Sequence, residues 1–204
     1  NLICLVGLYT TEYQFKRAER LTNKLDELSQ TDQLSGLLNR RAYEKKADRV
    51  FMSEESDEPV ALYIVDIDDF KKFNDQFGHL DGDIIIKEQA TILKSIFKRD
   101  SDVVGRYGGE EFIVIAPNTP LNEAERMAGL INELWQQYNI KNSQFTDVSC
   151  SIGLVGVANG SMNYDLKSLI AEADKALYLA KSHGKNCFES VDYSASVTLP
   201  KKES

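Results

Sequence analysis

Val103-Val104-Gly105-Arg106-Tyr107-Gly108-Gly109-Glu110-Glu111-Phe112-Ile113-Val114-Ile115-Ala116 sets two β-branched, apolar runs around a Gly-Gly-Glu-Glu centre. Each run has the length and composition of a strand, and the glycines allow the tight reversal of a β-hairpin. A hairpin pairs its strands antiparallel, which excludes a purely parallel sheet. Upstream, Val60-Ala61-Leu62-Tyr63-Ile64-Val65 follows Pro59 and reads as a buried strand delivering Asp66 at its end. A short helix over about 71–77 and a longer one over about 81–98 follow, the second with Ile86, Ala90, Leu93 and Phe97 on one face. Downstream, Pro117-Asn118-Thr119-Pro120 opens a long helix whose stripe of Ala124, Met127, Ala128, Ile131, Leu134, Trp135 and Tyr138 is core. A strand region at 146–157 comes next, then a helix with Leu166, Ile170, Ala173, Leu177 and Ala180 inward, and a last strand at 187–191. Strands and helices alternate irregularly, so the expected class is α+β: a mixed, mainly antiparallel central sheet flanked by helices.

Ahead of this frame, a turn signal from Thr31-Asp32 to Ser35-Gly36 precedes a helix over about 40–52 and an acidic loop at 53–58. The domain is therefore expected to span 32–192, with a flexible tail over 193–204. Residues 11–30 are charged and free of Gly and Pro, with Ala18, Leu21, Leu25 and Leu28 at alternating three- and four-residue spacing. So narrow a stripe on so polar a helix predicts a signalling stalk that pairs with a partner helix. The first residues, Leu2-Ile3-Cys4-Leu5-Val6-Gly7-Leu8-Tyr9, are apolar and are followed by Lys16, Arg17 and Arg20. Two readings stand side by side: the end of a membrane span with its cationic cytoplasmic flank, or an ordinary apolar helix start. A chain opening on Asn1 reads as part of something longer, anchored in an inner membrane on the first reading and with its main domain cytoplasmic on both.

Of 204 residues, 42% are hydrophobic and 27% charged, which allows a packed core. A net charge of -8 argues against a binder of long nucleic acid, because that binding runs on many cationic phosphate contacts. An acidic chain can still hold a nucleotide through a metal ion, a few lysines and backbone N–H groups. Cys4, Cys150 and Cys187 fit neither a disulfide framework nor zinc spacing.

The chemistry concentrates in two places. Asp66-Ile67-Asp68-Asp69-Phe70-Lys71-Lys72-Phe73-Asn74-Asp75, then Gly78-His79-Leu80-Asp81-Gly82-Asp83, crowds carboxylates where a buried strand ends. Hard oxygen ligands on a rigid strand suit Mg²⁺, which takes one or two carboxylates and completes its shell from water, backbone and phosphate. The second place is the Gly108-Gly109-Glu110-Glu111 turn, whose glutamates can complete such a site beside Asp66. That combination fits nucleotidyl transfer by in-line displacement.

The run Arg106-Tyr107-Gly108-Gly109-Glu110-Glu111-Phe112 resembles the signature of GGDEF-family diguanylate cyclases, in the variant with Glu at its third position. Further family motifs stand in order: Thr31-Asp32-Gln33-Leu34-Ser35-Gly36-Leu37-Leu38-Asn39-Arg40-Arg41, the 66–83 segment, and Ala173-Asp174-Lys175-Ala176-Leu177-Tyr178 with Lys181 and Gly184-Lys185-Asn186. The resemblance implies a nucleotide-cyclase or polymerase-palm-like fold and condensation of two GTP into cyclic di-GMP, a bacterial second messenger. It implies Asp66, the Ile67 carbonyl and Glu110 as ligands of Mg²⁺ or Mn²⁺, and Glu111 as a further ligand or an aid to catalysis. Glu110 also matches the group that deprotonates the attacking 3′-hydroxyl. Asn74, His79 and Asp83 match guanine readers. Lys71 and the backbone around Phe70 match phosphate contacts, and Lys181 and Lys185 match basic γ-phosphate contacts. Arg99 and Asp102 stand where many members carry an RxxD site that binds product and inhibits.

One domain then supplies half of a two-GTP site, so the resemblance implies a homodimer. A different reading keeps the fold and drops the catalysis: a silent GGDEF-like receptor that binds cyclic di-GMP through Arg99 and Asp102. A third is a GTP-binding regulator of a neighbouring domain.

Overall fold

A computed structural model describes residues 12–17, 30–51, 58–142, 145, 147–158 and 164–193. The chain divides into two compact units, Asn1–Thr31 and Asp32–Ser204. In the first, residues 12–17 are helical and exposed, with Lys16 Nζ donating to Glu12 Oε1 at 2.6 Å. The Ala18-to-Leu28 stripe, the apolar run at 2–9 and the tail from 194 lie outside the described residues.

The second unit runs α1 (Arg40–Phe51), β1 (Val60–Ile67), α2 (Phe70–Phe77), α3 (His79–Ile96), β2 (Val103–Gly108), β3 (Glu111–Pro117), α4 (Leu121–Lys141), β4 (Cys150–Val157), α5 (Leu166–Ser182) and β5 (Phe188–Asp192). The strands form one sheet in the order β2-β3-β1-β4-β5. β2–β3, β3–β1 and β1–β4 pair antiparallel, and β4–β5 pairs parallel. This is the expected mixed sheet. Among the described residues no helix is long and apolar enough to cross a membrane.

β1 is central and buried at every residue, which is why its sequence is a continuous apolar run. Side chains alternate between faces along a strand. Ala61, Tyr63, Val65 and Ile67 enter the core with residues of α2, α3 and α4. Val60, Leu62 and Ile64 enter the opposite core with Tyr43 of α1 and Leu169, Ala173 and Leu177 of α5. By the same alternation Asp66 projects towards the α1/α5 face. On β3, Ile113 and Ile115 share that face, and so does Glu111 two residues before Ile113. The long α4 places Trp135 fully inside, its indole N–H donating to Gln89 Oε1 at 2.8 Å, so burying the ring leaves no orphaned donor.

Element ends differ from expectation by small, physical amounts. β1 runs on to Ile67 because Asp66 is paired on both sides, with Glu111 and Ser151, so Asp66 lies inside the strand. α3 begins at His79, because Gly78, at φ 92°, both ends α2 and opens α3. In the hairpin, Glu111 belongs to β3, leaving Gly109 and Glu110 as the turn, with Gly109 at φ 52°. Left-handed backbone costs a side chain little only where the Cβ is missing.

Candidate active site

β1, the β2–β3 turn and the C-terminal end of α5 converge at one edge of the second unit. Asp66, Ile67, Phe70, Lys71, Glu110, Lys181 and Lys185 line one open cavity of about 250 Å³, together with Asp68 and Asp69. Asp66 is the Cα partner of Glu111, and the Ile67 N–H donates to the Glu110 carbonyl at 3.4 Å. Both glutamates are thereby registered against Asp66 by sheet pairing rather than by side-chain contact.

Lys181 Nζ lies 2.9 Å from Asp66 Oδ1. Burial pushes the Asp66 carboxyl up, the Lys181 hydrogen bond and charge pull it down, and Glu110 and Asp68 push it up again, leaving it above its ordinary value. Glu111 is also raised, by burial first and then by Asp66, with Lys181 opposing. Asp66 and Glu111, both raised by burial and by neighbouring acids, call for a cation, and the Lys181 ammonium meets part of that demand. Among the described residues no three His, Cys, Asp or Glu side chains are clustered for metal binding. Two carboxylates and a backbone carbonyl fit Mg²⁺ or Mn²⁺, whose remaining ligands come from water and phosphate.

In the same cavity, Lys185 Nζ bonds Asp69 Oδ2 at 2.8 Å, and that hydrogen bond holds the Asp69 carboxyl below the usual range. Lys71, on the first turn of α2, is exposed beside the cavity. No side chain caps the N-terminus of α2, and its first residues, Phe70 and Lys71, line the cavity.

Asn74, His79 and Asp83 lie at the α2–α3 corner, outside that cavity. Asn74 is half-buried and its Oδ1 has no hydrogen-bond partner within the chain. A Cβ on Gly82 would come within 1.9 Å of that oxygen, so the two helices meet closely here because residue 82 has no side chain. Arg99 and Asp102 sit at the opposite end of the hairpin from Gly109. They close a turn on each other, with Asp102 N donating to Arg99 O and Arg99 N to Asp102 Oδ2, both at 2.9 Å. The Arg99 guanidinium turns away, to Thr119 Oγ1 and Glu123 Oε1 at 3.2 Å. Asp102 Oδ1 is buried without a partner.

Two features lay beyond the motif reading. Arg106 donates through Nε and Nη2 to the Gly109 carbonyl at 2.9 and 2.6 Å, and through Nη1 to Asp32 at 3.0 Å. Asp32 also accepts from Ser35 N and Oγ at 2.8 and 2.7 Å. The turn at the domain start thus braces the β2–β3 hairpin. Both ends of this link stand in quoted motifs, yet a separation of 74 residues hides their pairing. Asp68, one of the acids crowded at the strand end, instead accepts from Ser149 Oγ, Ser151 Oγ and Asn186 N at 2.6, 2.6 and 3.0 Å.

The family description "Diguanylate cyclase, GGDEF domain" matches residues 29–187. The chain belongs to the GGDEF diguanylate cyclase family. It is 39% identical over 189 residues to the response regulator PleD of Caulobacter vibrioides, a match covering 86% of this chain and 40% of PleD. It is 41% identical over 138 residues to diguanylate cyclase A of Treponema denticola, covering 66% of this chain and 36% of that one. The chain therefore spans about two fifths of the length of these curated relatives. The crystal structure of the coiled coil and GGDEF domain of DgcB from Caulobacter crescentus, in complex with c-di-GMP, superposes with a TM-score of 0.71 at 25% identity. That match covers 91% of this chain and 98% of that one. The Gly108-to-Phe112 turn of this GGDEF domain is the tip that sheet register sets against Asp66.

Proposed function

We propose that this GGDEF domain is a diguanylate cyclase, joining two GTP into cyclic di-GMP with release of two pyrophosphates. The observation that carries the reading is one cavity lined both by Asp66, Ile67 and Glu110 and by Lys71, Lys181 and Lys185. A site of that composition holds a triphosphate through charge while placing acids at the reacting end. Asp66, Glu110 and the Ile67 carbonyl would hold Mg²⁺ or Mn²⁺, which when bound supplies charge neutralisation at the phosphoryl oxygens. The α2 N-terminus and Lys71 cradle phosphate, Lys181 and Lys185 take the terminal phosphate, and pyrophosphate departs towards them. Asn74 and Asp83 read the guanine edge by donor and acceptor matching, with His79 beside them. The 3′-hydroxyl of the opposing nucleotide attacks the α-phosphate and gives its proton to a glutamate of the hairpin tip. Glu111 suits that role, because it is half-buried beside Asp66 and, unlike Glu110, is not one of the groups that would hold the metal.

One cavity serves one GTP, so two copies face each other across the two nucleotides, and residues before 32 act as the pairing stalk. Product binds at Arg99 and Asp102 as a brake. The exposed Arg99 supports this, because its guanidinium can pair a phosphate or a guanine edge. Attachment to a membrane through an upstream segment belongs to the same proposal.

The test is purified protein with GTP and Mg²⁺, with cyclic di-GMP and pyrophosphate quantified by chromatography. Product at a 1:2 ratio is expected, abolished in Glu110→Ala and reduced at least about a hundredfold in Glu111→Ala. A well-folded dimer that binds cyclic di-GMP yet makes none sinks the cyclase reading in favour of the receptor.

A further inference from the structure

We propose that Asp68 is a positioning residue: it clamps the turn that presents Lys185 to the phosphate cavity, without itself touching substrate or metal. The inference rests on Lys185 being a terminal-phosphate contact. Gly184, Lys185 and Asn186 follow one another at φ 112°, 66° and 50°. A run containing two side-chain-bearing residues in left-handed backbone persists only where its surroundings over-determine it. Here the surroundings are specific. Asp68 Oδ2 accepts the Asn186 N–H at 3.0 Å, Asn132 Nδ2 donates to Asn186 Oδ1 at 3.2 Å, and the Lys185 N–H donates to the Ala180 carbonyl at 3.1 Å.

Asp68 is held in turn. Ser149 Oγ and Ser151 Oγ donate to its two oxygens at 2.6 Å each, and its own N–H donates to the Ser149 carbonyl at 2.9 Å. Three accepted hydrogen bonds occupy most of the lone-pair directions of a carboxylate. The neighbouring residue, Asp69, is left-handed at φ 52° and takes the Lys185 ammonium. Two strained loops that both line the cavity are thus tied by an adjacent pair of bonds, Asp68 to the Asn186 backbone and Lys185 to Asp69. Lys181 needs no such clamp, because regular α5 carries it. The clamp governs Lys185 alone.

The partners' chemistry sets a discriminating test. In Asp68→Asn the amide oxygen can accept from Ser149 and Asn186, while the amide NH₂ donates to the Ser151 hydroxyl, which can also accept. Asparagine therefore preserves the clamp, whereas a role for negative charge or metal ligation would not survive the change. The experiment measures KM and kcat for GTP, and the affinities for GDP and a non-hydrolysable GTP analogue by calorimetry, in the full chain. Asp68→Ala is expected to raise KM more than it lowers kcat, and to shrink the preference for the triphosphate over GDP by at least about tenfold. Lys185→Ala should show the same loss, and the double variant should be no worse than Lys185→Ala. Asp68→Asn should stay within about threefold of wild type.

Asn as damaging as Ala, equal losses for GDP and the triphosphate, or additive losses in the double variant each overturn the proposal. If Asp68→Ala does not fold, Asn186→Gly serves instead: it keeps the backbone conformation, removes the Asn132 tie, and should show the same selective loss in smaller measure. A non-selective loss there also overturns the clamp. Wild-type protein that discriminates the triphosphate but makes no cyclic di-GMP removes only the cyclase reading. Wild-type protein with no such preference removes the clamp.

Discussion

Individual residues at this site do their work through what surrounds them. Burial pushes Asp32 up, but the Ser35 backbone N–H, the Ser35 hydroxyl and Arg106 outweigh it, and the carboxyl ends below its ordinary value. A depressed folded pKa means stability that is present above the unfolded value, about pH 4, and is lost as pH falls through the folded one. Asp32→Ala should therefore cost about 1.5–3 kcal/mol at pH 7 in chemical denaturation. The gap to wild type should narrow below about pH 4. A gap that stays constant down to pH 2 refutes the assignment. Gly82 makes a second prediction at this scale. In Gly82→Ala the new methyl displaces Asn74, so the fold should persist while KM for GTP rises and the preference for GTP over ATP falls. Unchanged nucleotide selectivity would show that Asn74 does not read the base.

At the scale of elements, the hairpin and α5 bring the chemistry together, and their seating is tight. A Cβ on Gly153 of β4 would come within 2.0 Å of the Ala173 carbonyl and 2.5 Å of the Leu177 N–H, both backbone of α5. Gly153→Ala must push that helix off the sheet, at about 1–3 kcal/mol or more. Since α5 carries Lys181, the same change should lower turnover further than the loss of stability explains. Denaturant midpoints and kcat on one preparation check both halves. Elements were also what the sequence showed best. The apolar stripes of α4 and α5 and the continuous run of β1 were legible because burial imposes a period. Bounds drifted where a single residue decided them, as with Gly78 between two helices and the double pairing of Asp66 that lengthens β1.

For the molecule as a whole, the proposed half-site makes turnover depend on encounter. Specific activity should rise with protein concentration through the dimerisation range, and removing residues before Thr31 should lower both dimer population and activity. Sedimentation and initial rates over a dilution series test this. Turnover per protomer that stays constant well below the dimer dissociation constant rules out two facing half-sites. With a net charge of -8, two copies repel at long range, so low salt should weaken pairing.

Composition, period and turn chemistry are local properties, and from them alone came the α+β class, the hairpin at Gly109, the core stripes and the acids at the end of β1. The ordered motifs added which lysines and acids belong to one chemistry. Tertiary structure alone decided which of those groups meet. It set Asp66 against Glu111 by register, Lys181 on Asp66, Arg106 across 74 residues to Asp32, and Asp68 on Ser149, Ser151 and Asn186. The reason is physical: a side chain's type follows from its own position, but its partner is chosen by how distant segments pack. A carboxylate reads the same in sequence whether it will hold a metal or a loop.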